Sequence, residues 1–124
     1  MSEAQIELLV CTRCRAMGCK QEPPERPGAV LARRLRALAP ESVRICEVEC
    51  LSNCSQGCTI ALRGGMRWTY IYGRISADGD LDEIFDGVQK YVASCDGIVP
   101  WRERPEHFRK NCIARIPPIE GFSK

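Results

Sequence analysis

Short apolar runs alternate with polar, glycine-containing or proline-containing stretches along most of the chain. Residues 6–10 form one such run and residues 43–48 another, and both are short and rich in aliphatic side chains, which predicts strands. Residues 58–62 and 67–75 are also strand-like. The link between them contains Gly64 and Gly65, so we expect an antiparallel hairpin there.

Two further segments have the periodicity of amphipathic helices. The first begins near Gly28, places Val30, Leu31, Leu35 and Leu38 on one stripe, and ends at Pro40. The second repeats apolar residues at helical spacing from Leu81 to Val92, after acidic residues that favour a helix N-terminus. Asp78-Gly79-Asp80 supplies the turn and the N-cap before it.

The predicted order is strand, helix, strand, strand, strand, helix. This order is the thioredoxin-like arrangement of an α/β fold, and we assign it to residues 1–96. Prolines at positions 100, 105, 117 and 118 predict that residues 97–124 form a tail with little regular structure, packed on the domain or on a partner.

Composition narrows the classes of function. The chain has 124 residues, enough for one domain with a serviceable core, so its nine cysteines are not needed for stability alone. We see no export signal and no run long enough to span a membrane. An odd cysteine count in a cytoplasmic protein predicts reduced or metal-bound thiols. The formal net charge of +2 argues against a nucleic-acid partner.

The cysteines cluster in two places, each directly after a predicted strand. Cys11 and Cys14 form one pair, with Cys19 behind it; Cys50 and Cys54 form the other. Two such loops can meet at one edge of a small sheet, and thiolates are the soft ligands that zinc and iron-sulfur clusters select. Cys19 and Cys58 lie in or beside these loops and remain open as replacement ligands.

The remaining cysteines are expected to be buried small hydrophobes, because free cysteine is among the most buried residue types. Cys46 and Cys50 lie about 13 Å apart if the strand continues between them, too far to hold one centre. Cys95 and Cys112 are isolated in the sequence. The single histidine, His107, is in the tail and is expected at the surface.

Several segments of the chain resemble a known group of proteins. The Cys-x3-Cys of residues 50–54 is similar to that of the thioredoxin-like 2Fe-2S ferredoxins, which include the small cluster-bearing subunit of respiratory complex I. Residues 10–15, 50–54, 68–73, 99–105 and 114–118 together resemble a bacterial family of predicted metal-binding proteins of unassigned function, grouped with those ferredoxins. The resemblance covers nearly the whole chain.

The resemblance implies a 2Fe-2S cluster on Cys11, Cys14, Cys50 and Cys54. Such ferredoxins usually separate their first two ligands by four or more residues, whereas two residues separate Cys11 from Cys14. Cys19 is therefore a substitute for Cys14. The resemblance also implies a link to cobalamin-related metabolism.

Basic residues surround the cysteines. Arg13, Arg15 and Lys20 lie in the first loop, where they are expected to offset cluster charge and to face a redox partner with an acidic docking surface; ordinary solvated side chains are the alternative. The tail also carries several basic residues: Arg102, Arg104, Arg109, Lys110 and Arg115. It can serve as a docking arm or a homodimer contact, or simply cover the sheet.

The leading hypothesis is a cytoplasmic one-electron carrier without substrate chemistry of its own. One alternative is a protein that stores, senses or delivers zinc or another metal ion through the same thiolates. A thioredoxin-type thiol oxidoreductase is a weaker alternative, because its reactive cysteine belongs at a helix N-terminus and prolines delay the helix here until about Gly28.

Overall fold

The computed structural model describes residues 6–12, 27–49, 51, 58–76 and 81–118. Its elements, in chain order, are β1 (Ile6–Cys11), α1 (Pro27–Leu38), β2 (Val43–Val48), β3 (Ile60–Arg63), β4 (Thr69–Tyr72), α2 (Leu81–Ala93), a single 3-10 turn (Trp101–Glu103), α3 (Glu106–Lys110) and β5 (Cys112–Ile116).

The five strands form one sheet in the order β2-β1-β3-β4-β5. β1 and β2 are parallel, whereas β1–β3, β3–β4 and β4–β5 are antiparallel. The carboxyl ends of β1, β2 and β4 therefore lie at the same edge of the sheet as the amino ends of β3 and β5. We call this the cysteine edge; its strand ends are Cys11, Val48, Ile60, Tyr72 and Cys112.

Side chains alternate between the two faces of β1. Ile6, Leu8 and Val10 belong to the main buried cluster, together with Leu31 of α1 and Val88 of α2. Full burial of one such aliphatic side chain contributes about 2 kcal/mol relative to leaving it in water. The helices and the sheet thus share one core, as amphipathic elements require.

The predicted thioredoxin-like α/β class is confirmed, and the first six elements occur in the expected order. Three boundaries agree closely: β1 ends at Cys11, β2 spans Val43–Val48, and α1 begins at Pro27, one residue before the expected start. The hairpin is present, but its strands are shorter than predicted, because pairing between β3 and β4 covers only Ile60–Leu62 and Tyr70–Tyr72. The predicted turn at Asp78–Asp80 lies outside the described residues.

The tail has more regular structure than its prolines suggested. β5 pairs antiparallel with β4, and α3 precedes it. The expectation of an irregular tail was wrong here, because the pairing partners of β5 in β4 lie forty or more residues away in sequence and leave no local signal. The division at residues 96 and 97 stays a prediction.

Aromatic contacts attach this segment to the core. The ring of Phe108 stacks on Tyr72 with centroids 3.9 Å apart, and a Cβ added to Gly87 of α2 would lie only 2.3 Å from the Phe108 ring. Arg104 lies over the Tyr70 ring, and Arg115 over the Trp68 ring at 4.6 Å. The close approach of the Phe108 ring to α2 requires a glycine at position 87.

No helix in the described part of the chain is both long and apolar enough to cross a bilayer.

Candidate metal centre

Cys11 occupies a corner where three strands meet. Its backbone N–H donates to the carbonyl of Thr59 at 3.1 Å, and its Sγ lies 3.6 Å from the carbonyl oxygen of Glu49. The next residue, Thr12, donates its N–H to the Val48 carbonyl at 2.8 Å and its hydroxyl to the same oxygen at 3.1 Å. Only 1% of Cys11 is exposed, so its thiol is held in a dry, hydrogen-bonded setting.

The start of α1 packs against this corner. A Cβ added to Gly28 would lie 2.0 Å from the Cys11 carbonyl oxygen, closer than any side chain can approach. Glycine is therefore required for the close approach of helix and strand. Thr12 and Pro27 flank the segment that carries Cys14 and Cys19. Both flanking residues therefore lie at the Cys11 corner.

The second cysteine segment is anchored at the same edge. β2 ends at Val48, beside Cys11 in the sheet, and Cys50 follows two residues later. At the other end, Cys58 donates its N–H to the Ile75 carbonyl at 3.3 Å and accepts from the Ile75 N–H at 3.0 Å. Cys58 itself is 1% exposed and belongs to the core cluster.

The structure therefore brings Cys11, Cys58 and the anchors of both cysteine segments to one edge. The other predicted ligands, Cys14, Cys50 and Cys54, lie outside the described residues, as do Cys19 and the basic residues Arg13, Arg15 and Lys20. Within residues 6–12, 27–49, 51, 58–76 and 81–118, no three His, Cys, Asp or Glu side chains are grouped closely enough to hold a metal ion.

The cysteines expected to be bystanders are less buried than predicted. Cys46 pairs with Leu9 two residues before the cysteine edge and is half-buried, and Cys95 is exposed in the turn after α2. Cys112 is half-buried at the cysteine edge, but β3 and β4 lie between its strand and β1, a distance of roughly 14 Å at ordinary strand spacing. Burial raises the pKa of the Cys112 thiol, while Arg104 and Arg115 act in the opposite direction.

His107 is also better packed than a surface histidine. Its Nε2 lies 3.0 Å from the Gly73 carbonyl oxygen, and its backbone N–H donates to the Glu83 carboxylate at 3.0 Å. The first contact attaches α3 to the segment that leaves β4 at the cysteine edge, and the second attaches it to α2.

One residue of that segment was missed by sequence reasoning. Arg74 has a φ of 57°, and it is the sole residue other than glycine with a positive φ among those the structure describes. Arginine has no intrinsic preference for this region, so the sequence carries no signal for it.

Comparison with solved structures supports the fold. The wild-type thioredoxin-like 2Fe-2S ferredoxin from Aquifex aeolicus has a TM-score of 0.52 and 14% sequence identity, over 89% of this chain and 97% of its own. Another structure of a thioredoxin-like 2Fe-2S ferredoxin from Aquifex aeolicus has a TM-score of 0.51 and 18% identity, over 92% and 96%. At these identities the likeness shows the fold.

No curated protein sequence matches the chain. A family profile does, described as a protein of unknown function, DUF1636, and the match runs from residue 8 to residue 118. That range runs from within β1 to beyond the end of β5 and includes both cysteine segments. The chain belongs to the DUF1636 family.

Proposed function

We propose that this protein binds a 2Fe-2S cluster at the cysteine edge and works as a one-electron carrier. The observation that carries the proposal is the anchoring of both cysteine segments beside the buried Cys11. The same fold occurs in ferredoxins from Aquifex aeolicus whose cluster is of this type.

The donor chemistry of the chain fits such a group. The proposed ligands are Cys11, Cys14, Cys50 and Cys54, with Cys19 as the substitute for Cys14 and Cys58 as a further substitute. Four thiolates are the usual ligand set of a 2Fe-2S cluster, which supplies a site that accepts and releases one electron.

The described residues have supporting tasks. Hydrogen bonds from Cys11 and Thr12 hold the end of β1 against β2 and β3. Gly28 brings the start of α1 onto the same corner, which excludes water from Cys11. A rigid, dry first ligand limits reorganisation around the metal.

Burial of Cys11 also disfavours the thiol oxidoreductase alternative, since a nucleophilic thiolate has to be reachable. The same proposal includes a redox partner with an acidic docking surface, a cytoplasmic setting and a role in cobalamin-related metabolism. A homodimer stays a prediction.

The test is anaerobic purification followed by an absorption spectrum, electron paramagnetic resonance before and after dithionite, and iron, sulfide and zinc analysis of the same sample. We expect about two irons and two sulfides per chain, no signal when oxidised, and an S = 1/2 signal when reduced. Cys11→Ser and Cys54→Ser should lose the colour. Cys95→Ser is the matched control and should keep it, because Cys95 is exposed and its neighbour Asp96 bonds to Trp68 before the start of β4, at the opposite edge of the sheet.

Two results would contradict the proposal. An intact cluster in Cys54→Ser would remove the second loop from the ligand set. The other result is a protein that contains zinc and stays colourless after anaerobic reconstitution with iron and sulfide. It would assign the site to the alternative in which the same thiolates store, sense or deliver zinc or another metal ion.

A further inference from the structure

Arg74 adopts a backbone conformation that costs an L-residue about 1–2 kcal/mol. Its φ is 57°, and it lies two residues beyond the end of β4 at the cysteine edge. Strained residues persist where the surrounding structure holds them, and they concentrate at functional sites.

The residues on both sides of Arg74 are held firmly. Gly73 donates its N–H to the Asn111 carbonyl at 3.0 Å, and its own carbonyl lies 3.0 Å from His107 Nε2. On the other side, Ile75 is 3% exposed and exchanges two backbone hydrogen bonds with Cys58. Between these two anchors the chain turns at position 74.

The turn leaves the Arg74 side chain exposed. It makes no hydrogen bond or ion pair with any residue that the structure describes. Arg109, in the last turn of α3 near the same edge, is exposed as well, whereas Lys110 is paired with Glu106 at 3.3 Å. Arg74 is therefore an exposed cation on a backbone that is held from both sides, directly before Ile75, the residue that pairs with Cys58.

We propose that Arg74 is a docking residue for an acidic protein surface, at the point where the electron leaves or enters. This inference rests on the proposed function, because it takes the acidic surface to belong to a redox partner. A guanidinium binds carboxylates through two parallel hydrogen bonds, and a backbone that is already ordered loses less entropy on binding. An arginine beside the cysteine edge would place the partner close to the cluster.

The experiment compares the wild-type protein with Arg74→Asn and Arg102→Asn. Asparagine tolerates a positive φ, so Arg74→Asn removes the charge without adding strain. Arg102 is also exposed and serves as the matched control. It lies in the 3-10 turn whose Glu103 carbonyl accepts from Lys90 near the end of α2, and this end of α2 contacts Trp68 before the start of β4, away from the cysteine edge. Circular dichroism and thermal unfolding establish that all three proteins are folded.

The first measurement is binding of a short fluorescein-labelled oligoglutamate peptide, followed by anisotropy at low ionic strength. It requires no cluster, so it gives an answer even for a colourless protein. We expect Arg74→Asn to weaken binding several-fold and Arg102→Asn to have little effect, with the difference disappearing as salt is added. Equal weakening by both variants, or none by either, would overturn the proposal.

The second measurement uses stopped-flow oxidation of the dithionite-reduced protein by ferricyanide, an anion, and by hexaammineruthenium(III), a cation. Each oxidant takes one electron from the reduced cluster. We expect Arg74→Asn to lower the ratio of the anionic to the cationic rate several-fold, because it removes positive potential at the electron exit. Weakened peptide binding with an unchanged rate ratio would place Arg74 away from that exit and refute its redox role. The cluster would still be established by its spectrum, so the proposed function would stand.

Discussion

Glu7 is a carboxylate held between two arginines. Its Oε1 accepts from Arg63 Nε at 2.8 Å, and its other oxygen accepts from Arg44, so that one β1 side chain links to both neighbouring strands. The hydrogen bonds from Arg63 and then Arg44 lower the pKa of Glu7, while partial burial opposes them. Glu7 therefore stabilises the fold in its charged form.

Replacement of Glu7 should change how the free energy of unfolding depends on pH. Because the pKa of Glu7 is lower in the folded protein, its contribution is present above the unfolded pKa and is lost as the pH falls through the folded value. Glu7→Gln should lower the free energy of unfolding by about 0.5–1 kcal/mol at pH 7, since the arginines are more than half exposed and solvent screens the pairs.

Urea unfolding of both proteins between pH 7 and pH 3 measures this difference. The gap should close toward acid. A gap that stays constant across that range would mean that the charge of Glu7 contributes nothing.

At the level of elements, the junction between β1 and α1 depends on one glycine. Gly28→Ala places a methyl group 2.0 Å from the Cys11 carbonyl oxygen, which is backbone and cannot move aside cheaply. We expect a loss of about 3 kcal/mol in the free energy of unfolding, and a change in the cysteine corner itself. Chemical denaturation measures the loss. Ala37→Ser, exposed on the same helix, is the control and should change stability by less than about 0.5 kcal/mol.

The attachment of α3 gives a second prediction at this scale. Phe108 is 2% exposed and stacks on Tyr72. Phe108→Ala should cost about 3–4 kcal/mol, whereas Phe108→Leu, which refills part of the space, should cost clearly less. Thermal unfolding of the two variants measures both losses. A loss below about 1 kcal/mol for the alanine variant would mean that the segment after Gly97 is only loosely attached to the sheet.

For the molecule as a whole, the described cysteines divide by accessibility. Cys95 is exposed, Cys46 and Cys112 are half-buried, and Cys11 and Cys58 are buried. In the metal-free protein, iodoacetamide should label Cys95 first, with Cys112 slowed further because burial raises the pKa of its thiol. Cys11 and Cys58 should react only on unfolding. Peptide mass spectrometry at timed intervals gives the order, and early labelling of Cys11 would contradict the closed corner described above.

Much of this arrangement follows from local sequence. Hydrophobic periodicity located β1, α1, β2 and α2, because each buries one face or stripe and the spacing of its apolar residues reports that face directly. The position of Cys11 at the end of β1, and of Cys50 just beyond β2, could likewise be read from the chain. Parallel pairing of those strands places their ends, Cys11 and Val48, side by side at one edge.

Other features depend on contacts between distant segments and could not be predicted in this way. β5 is a strand because β4 offers it hydrogen bonds, although prolines surround it. Cys58 is buried and Cys95 exposed because one pairs with Ile75 and the other follows the last turn of α2, a difference that residue type cannot signal. The sequence by itself determined β1, α1, β2 and α2 and the chemistry of the thiol groups. The tertiary structure decided which thiols are enclosed and where Arg74 stands, because both depend on hydrogen bonds and packing between segments far apart in the chain.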